Sequence, residues 1–364
     1  MKPLRILLPV HTVATWGGLQ DWTVGMVKGL ATRGADVYIV ANNRRIVEEC
    51  QGFARHSFLV DWGSWRGSVQ EILTACEFDV IFTQPYASRE LAIELRRRTG
   101  VPIVHMFHGN NSDFAYGWHD EIAKFLVASS SLIPMLTKFC GVKDTPIEVL
   151  PNGVPDSLFD TPPMSYQARI DKGSYDFVLA ARLMSDKLSQ VDGLISLISS
   201  LLRSRKIPRA TVHLMGGGPS KEHFLARLGA FVCENPRVEL NYHGWVSPEE
   251  VVDQLRSAIF SVAGGVTGAQ SIAVGTPCLG AGARGICGVS TPANIDRILG
   301  SNFGDHSALT NMPPEEIERD YQWICEPENF HAFQEYYVPL MRKERTHGAI
   351  AELALRQLSE VVSR

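Results

Sequence analysis

Apolar residues along the chain gather in two successive series of short runs. The first comprises LRILLPV (4–10), ADVYIVA (35–41), HSFLV (56–60), FDVIFTQ (78–84), VPIVHMF (101–107) and KFLVASS (124–130). The runs are continuous rather than alternating, so they predict parallel strands buried on both faces, with helices between them covering the sheet. The first of these helices is readable residue by residue. Asp21 stands near its N-terminus, Trp22, Met26, Val27 and Leu30 form one apolar stripe, and Arg33 and Gly34 close it.

The segment IEVLPNGVPDSLFDTPPMS (147–165) breaks the pattern with proline, asparagine and glycine, and reads as a linker. A second series follows: YDFVLAARL (175–183), ATVHLMG (210–216), RVELNYHG (237–244), AIFSVAG (258–264) and TPCLG (276–280). Between its first two runs, Leu188, Val191, Leu194, Ile195, Ile198, Leu201 and Leu202 keep a helical period. Ser247, Pro248 and Glu250 supply the N-cap, first-turn proline and capping-box acid of another helix. Helical periods return after Pro313 and persist to the end. The expected fold class is α/β: two facing, doubly wound, Rossmann-like domains with a ligand cleft at the strand C-termini. The expected boundaries are 1–158 and 159–340, with 341–364 a terminal helix free to pack back on the first domain.

Composition narrows the class. A chain of 364 residues, 45% hydrophobic and 20% charged, has the size and apolar content of a two-domain globular enzyme. A formal charge of −4 gives no reason to expect nucleic acid as a partner. The seven cysteines form an odd set without a CxxC pair, scattered through apolar runs, which favours free, buried thiols in a reducing cytoplasm. The opening MKPLRILLPV is too short for a signal peptide and meets Pro9 without a small-residue cleavage site, so a first strand is expected there. No segment is long and apolar enough to span a bilayer, which leaves peripheral membrane contact open.

The chemistry sits where strands end. Gly17 and Gly18 lie between the first strand and first helix, where bare backbone can approach a phosphate at a helix N-terminus; an ordinary tight turn would use the same residues. Arg182 and Lys187 follow a strand in the second series, two cations suited to a diphosphate whose charge grows as its bond breaks. Taken alone they are also what a solvated surface would carry. Gly216 and Gly217 in LMGGGPS, and Gly244 and Trp245 in YHGWVSPEE, are again strand ends meeting glycine. The stretch GGVTGAQSIAVGTP (264–277) opens a helix beside Gly264, Gly265 and Val266 and presents the amide of Gln270. No Asp or Glu occurs between Asp253 and Asp296, so this site looks built without a carboxylate. There is no Asp-x-Asp pair and no Cys/His spacing for zinc, so no metal site is expected.

In their order, GG near the start, FHGN, VLPNGV, ARLMSDK, MGGGP, YHGWVSPEE and AVGTP resemble the retaining GT-B glycosyltransferases of the GT4 type over nearly the whole chain. The resemblance implies a metal-independent enzyme without a cofactor, using a nucleotide diphosphate sugar held mostly by the second domain. It assigns Arg182 and Lys187 to the diphosphate, and His108 of FHGN to the transferred sugar. Gly17 and Gly18 approach the donor from the first domain, while Gly216, Gly217, Gly244, Trp245, Gly264, Gly265, Val266 and Gln270 line the donor side. The family begins the helix after the glycine loop with Glu and carries another Glu eight positions earlier; here those positions read Gln270 and Val262. A neutral amide in place of a carboxylate accepts more weakly, and valine accepts nothing.

The acceptor is expected on the first domain, where Trp16, Trp62, Trp65, Tyr116, Trp118 and the Asn110 amide are the candidate contacts for a saccharide, a lipid-linked sugar or a small molecule. For each aromatic, core packing competes with that role. The expected activity is transfer of a hexose-type sugar. The rival reading is a catalytically silent relative that binds a nucleotide sugar or a partner protein, motivated by the altered Glu pair. A two-lobed solute-binding protein would normally begin with an export signal.

Overall fold

A computed structural model describes residues 2–13, 17–171, 173–204, 206–306 and 312–363. The chain divides into two compact units, Met1–Pro155 with Arg345–Arg364, and Asp156–Glu344. In unit 1 seven strands form one parallel sheet: β1 (Arg5–Val10), β2 (Asp36–Ala41), β3 (His56–Leu59), β4 (Val80–Thr83), β5 (Ile103–Phe107), β6 (Lys124–Val127) and β7 (Ile147–Val149). Their spatial order is β3-β2-β1-β4-β5-β6-β7. Every residue of β4, β5 and β6 is buried, which is why these runs carry no polar alternation. The first helix runs Gly18–Thr32, buries Trp22, Met26, Val27 and Leu30, and ends at Arg33 before Gly34 with φ 84°.

The last helix, His347–Val362, lies on the Gly18–Thr32 helix and joins the same core through Ile350, Ala351, Ala354 and Leu358. Small residues set the separation. A Cβ on Gly29 would sit 2.4 Å from the Cβ of Ala351. Lys124 of β6, wholly buried, adds a polar tie, donating to Glu148 Oε1 at 2.9 Å on β7 and to Glu360 Oε2 at 2.8 Å on the last helix. Gly29→Val is therefore expected to push this helix away and cost about 1–3 kcal/mol, the range for overpacking, measured by urea unfolding.

Among the described residues unit 2 has six strands: β8 (Tyr175–Ala180), β9 (Ala210–Met215), β10 (Val238–Gly244), β11 (Phe260–Ala263), β12 (Cys278–Gly282) and β13 (Gly285–Val289). The order is β10-β9-β8-β11-β12-β13, with β13 antiparallel to β12 and the rest parallel. The capping box forms as read: Ser247 Oγ accepts from Glu250 N–H at 3.1 Å and Glu250 Oε2 accepts from Ser247 N–H at 2.9 Å.

Two strands differ from the sequence reading. Residues 147–149, read as the start of a linker, are β7, because their backbone finds partners on β6. The hairpin strand β13 carries glycine at 285 and 288, both with positive φ, so its propensity is weak and pairing with β12 alone defines it. All seven cysteines are free; Cys76 is half-buried and Cys233 exposed, so these two depart from the buried setting expected of them. Among the described residues no helix is long and apolar enough to cross a membrane.

Candidate functional site

In each sheet the strand order reverses once, between β1 and β4 in unit 1 and between β8 and β11 in unit 2. Connections leave such a point in opposite directions and open a crevice beyond the strand C-termini, the usual ligand position of doubly wound sheets. Candidate residues follow the strands at these two points and at the neighbouring strand ends.

At the unit 2 point, β8 ends at Ala180 and the chain turns through exposed Arg182 into the short Ser185–Lys187 turn. The glycine loop after β9 lies against this turn. Leu183 N–H donates to Gly217 O at 2.9 Å, and Gly216 N–H donates to Gly244 O after β10 at 2.6 Å. Gly216 has φ 118°, and a Cβ there would lie 1.9 Å from Ala181 O. Trp245, 70% exposed, sets its indole against Gly217, where a Cβ would be 2.5 Å from the indole nitrogen. Arg182, Gly216, Gly217, Gly244 and Trp245 thus share one edge.

Lys187 brings in a residue the sequence reading missed. Its ammonium is ion-paired with the carboxylate of Asp305. Asp305 Oδ1 also accepts from Ala283 N–H at 2.9 Å, just past β12. The loop that delivers Asp305 is left-handed at three successive residues, Asn302 (φ 50°), Phe303 (φ 57°) and Gly304 (φ 81°). Two of them are not glycine, and such conformations persist only where the surroundings impose them. Buried Phe303 is the anchor, seated on the Gly265–Ala273 helix at Gly268, where a Cβ would lie 2.3 Å from its ring.

The glycine stretch makes room for the Asp305 side chain. Cβ atoms on Gly264 and Gly265 would stand 2.9 Å and 2.8 Å from the two Asp305 oxygens, and one on Gly282 would stand 2.3 Å from Asp305 N. These glycines admit a carboxylate from elsewhere in the chain. Gly265 N–H, expected to face a ligand, donates instead to Asn302 O at 3.1 Å. Val266 remains in the helix's first turn, half-buried, where N–H groups lack intrahelical partners. Gln270 lies in the second turn, half-buried, and not at the helix start. Val262 is wholly buried within β11, so the position eight before Gln270 faces the core. Asp305 had only a faint signal, the turn-forming Asn-x-Gly before it.

At the unit 1 point, His11 follows β1, Gln84 follows β4 and His108 follows β5. These three residues line a cavity of about 260 Å³ with Leu19, Tyr86 and Phe107. His108 also meets Trp22 edge-on, with ring centroids 4.4 Å apart. A wider cavity of about 850 Å³ shares His11 and is walled by Asn42, Arg44, Asp61 and Trp62. Burial holds the His11 imidazole below its usual pKa against the opposing pull of Asp113. Gly17 and Gly18 begin the adjacent helix; a Cβ on Gly17 would have only an ordinary contact, 3.7 Å from Gln20 Oε1.

The aromatic candidates separate here. Trp62 lines the wide cavity. Trp65 is buried under Arg66, 4.8 Å from its ring, and Trp118 stacks with Phe107 and donates from its indole to Asp113 O at 2.7 Å, so both are packing residues. Tyr116 is exposed beside Phe114. Asn110 is half-buried, and its neighbour Asn111 is the one that lines the small cavity. Trp16 lies outside the described residues.

Two Rossmann-like α/β units of this topology define the GT-B glycosyltransferase fold, and solved structures of that fold superpose over the full chain. Residues 16–158 match the family model described as Glycosyltransferase Family 4. No curated protein matches the sequence. A glycosyltransferase from Rickettsia africae is similar at TM-score 0.73 and 15% identity, covering 100% of both chains. HepE of Anabaena, solved with UDP and glucose, is similar at TM-score 0.66 and 13% identity over 98% of this chain and 100% of its own. Sucrose-phosphate synthase from Thermosynechococcus elongatus is similar at TM-score 0.65 and 14% identity, covering 99% of each.

Proposed function

We propose that the chain is a retaining, metal-independent glycosyltransferase that moves a hexose from a nucleoside diphosphate sugar to a hydroxyl acceptor. The observation that carries this reading is Lys187 at the β8/β11 reversal, beside the first turn of the Gly265–Ala273 helix. A cation and a helix N-terminus converging on one sheet edge suit a diphosphate, and stabilise the charge that grows on it as it departs. Arg182 adds a second cation on the same turn, and exposed Trp245 offers a face for a nucleobase. The complex of HepE with UDP and glucose makes uridine the first base to test.

In the proposed step the acceptor oxygen bonds to the sugar's anomeric carbon as the bond from that carbon to the phosphate oxygen breaks. The acceptor proton passes to the departing phosphate oxygen on the same face. The products are the glycosylated acceptor and the nucleoside diphosphate. The protein supplies alignment and charge, and needs no side-chain base for this transfer. The acceptor is assigned to the β1/β4 edge of unit 1, beside His108.

The test is a panel of nucleoside diphosphates and their sugars, read by thermal shift and then by nucleotide release. A ligand at a hundred times its Kd adds about 2.7 kcal/mol of stability. One nucleotide preferred, with turnover unchanged by EDTA and the anomeric configuration retained by NMR, is the expected result. Arg182→Ala is expected to lower turnover about tenfold or more while leaving the melting temperature unchanged, since the side chain is exposed. Binding without transfer or hydrolysis would favour a silent relative.

A further inference from the structure

Strand β10 does not end as a regular strand. It pairs in step with β9 from Val238↔Ala210 to Tyr242↔Leu214, then skips one residue, so that Gly244 stands opposite Met215. His243 is the extra residue, a bulge. Its exposed imidazole is inclined by only 25° to that of His213 on β9, and His243 Nε2 lies 3.0 Å from His213 Nδ1. The other nitrogen of His213, Nε2, is 3.7 Å from the carboxylate of buried Asp176 on β8. That charge favours the tautomer with the proton on Nε2, which leaves Nδ1 to accept from His243 Nε2–H. The residues on either side of His243 both hold Gly216 of the glycine loop after β9. Gly216 N–H donates to Gly244 O at 2.6 Å, and Tyr242 Oη donates to Gly216 O at 3.2 Å. Trp245 follows, with its indole against Gly217.

We infer that the His213–His243 pair positions the Gly244–Trp245 loop, and that donor binding weakens in acid because a second proton on the pair releases that loop. The nature of the ligand rests on the transferase reading; the hold of the pair on the loop does not. Two imidazoles in contact share one proton when the pair is neutral, and still do when it carries a single charge, since one ring donates and the other accepts. With both rings charged, each facing nitrogen carries a hydrogen, no acceptor remains, and like charges stand 3.0 Å apart. The bond is then lost, and with it the tie between the bulge and β9. Partial burial, and after it the charge of His213, hold His243 below its usual pKa, against the pull of Glu250 on the Pro248–Ser257 helix. Asp176 and Glu250 are the carboxylates facing the pair. Lys221, on the Lys221–Glu234 helix packed against β10, faces Tyr242 instead, 5.7 Å from its ring centroid. Because the paired loop takes the second proton less readily than the released one, a falling pH favours release, beginning below the ordinary imidazole value of about 6.5. The sign is diagnostic. Positive charge gained near a diphosphate would by itself tighten binding in acid, so weaker binding there marks movement of the loop.

The experiment uses the full chain and the variants His243→Gln, His213→Gln and His243→Ala. A glutamine amide keeps a hydrogen bond in the pair but takes up no proton. Trp245 emission, taken as the difference between each protein and its Trp245→Phe form, is followed from about pH 8 to about pH 5 without ligand. UDP-glucose is then titrated over the same range, where its esterified diphosphate keeps a constant charge. In the wild type the Trp245 signal is expected to titrate, and Kd to rise about tenfold per pH unit below the midpoint, as one proton is linked. Both glutamine variants are expected to bind about two- to threefold more weakly than the wild type near neutrality and to lose the titration in both signals. His243→Ala is expected to bind about tenfold more weakly at all pH values, as the hydrogen bond is gone throughout. A Trp245 signal or an affinity that stays flat in the wild type, or an affinity that rises in acid, would overturn the inference. So would a His243→Gln variant that titrates like the wild type, or a His243→Ala variant that binds as tightly near neutrality. A Trp245 titration abolished by the glutamine variants, with no UDP-glucose bound at any pH, would remove the donor reading and leave the hold of the pair on the loop standing.

Discussion

Lys187→Ala is expected to lower sugar transfer by about a hundred- to a thousandfold, the range for removing one group that stabilises leaving-group charge. The loss has two parts. A cation next to the diphosphate disappears, and the carboxylate of Asp305 loses the ammonium that neutralises it. Because Asp305 stands against Gly264 and Gly265 at the head of a helix, the variant site loses one positive charge and leaves this carboxylate facing the phosphate position, which weakens nucleoside diphosphate binding. Both side chains are about one-fifth exposed and Asp305 keeps its bond from Ala283 N–H, so removing the ammonium costs about 1–3 kcal/mol of stability, the range for losing a hydrogen bond to a charged group.

Asp305→Asn distinguishes the two parts. It keeps Lys187 and removes the negative charge, so nucleotide affinity is expected to hold or rise while turnover falls, because the ammonium is no longer held by a charged partner. The double variant Lys187→Ala with Asp305→Asn is expected to regain part of the lost stability without regaining transfer. Additive losses in turnover across this cycle would show that the two residues act separately, and would remove Asp305 from the proposed site.

The second large effect is structural. Gly216→Ala places a Cβ 1.9 Å from the Ala181 carbonyl oxygen, at a backbone φ of 118° that L-residues rarely adopt. Neither atom is the free end of a flexible side chain, so the turn carrying Arg182 must move. Overpacking of about 1–3 kcal/mol and backbone strain of similar size add to an expected loss of about 2–5 kcal/mol. The measurement is urea unfolding, compared with Gly229→Ala in the Lys221–Glu234 helix. A Cβ at Gly229 meets nothing within 4 Å, so that control is expected to stabilise by up to about 1 kcal/mol. Equal stability of the two variants would mean that the 181–183 turn yields freely and that the glycine loop does not position Arg182.

The readable parts of the chain were those set by local pattern. Apolar runs gave eleven strands within a few residues; the central ones were clearest, because a strand buried on both faces is apolar nearly throughout, while the edge strands β3 and β10 are largely exposed. The Ser247 cap and the Gly34 stop were equally local, each decided by hydrogen bonds or backbone freedom within a few positions. The glycines and cations at strand ends were placed correctly along the chain because a parallel sheet delivers every strand end to the same edge. Their partners were not readable. Gly264 and Gly265 look like an open loop for a ligand until Asp305, forty residues on by number, is seen to fill the space beside them.

The residue pattern alone determined that this is an α/β protein with two strand–helix series and glycine-rich, cationic turns at the strand ends, because periodicity and turn chemistry act over a few residues. Only the tertiary structure decided that a carboxylate stands beside Lys187, that Val262 is core and Gln270 mid-helix, and that Trp62 rather than Trp65 or Trp118 faces a cavity. Those outcomes depend on which distant segments meet at a sheet edge and on how far each loop reaches. Strand order, loop length and left-handed turns such as Asn302–Gly304 govern both, and none of them leaves a periodic trace in the sequence.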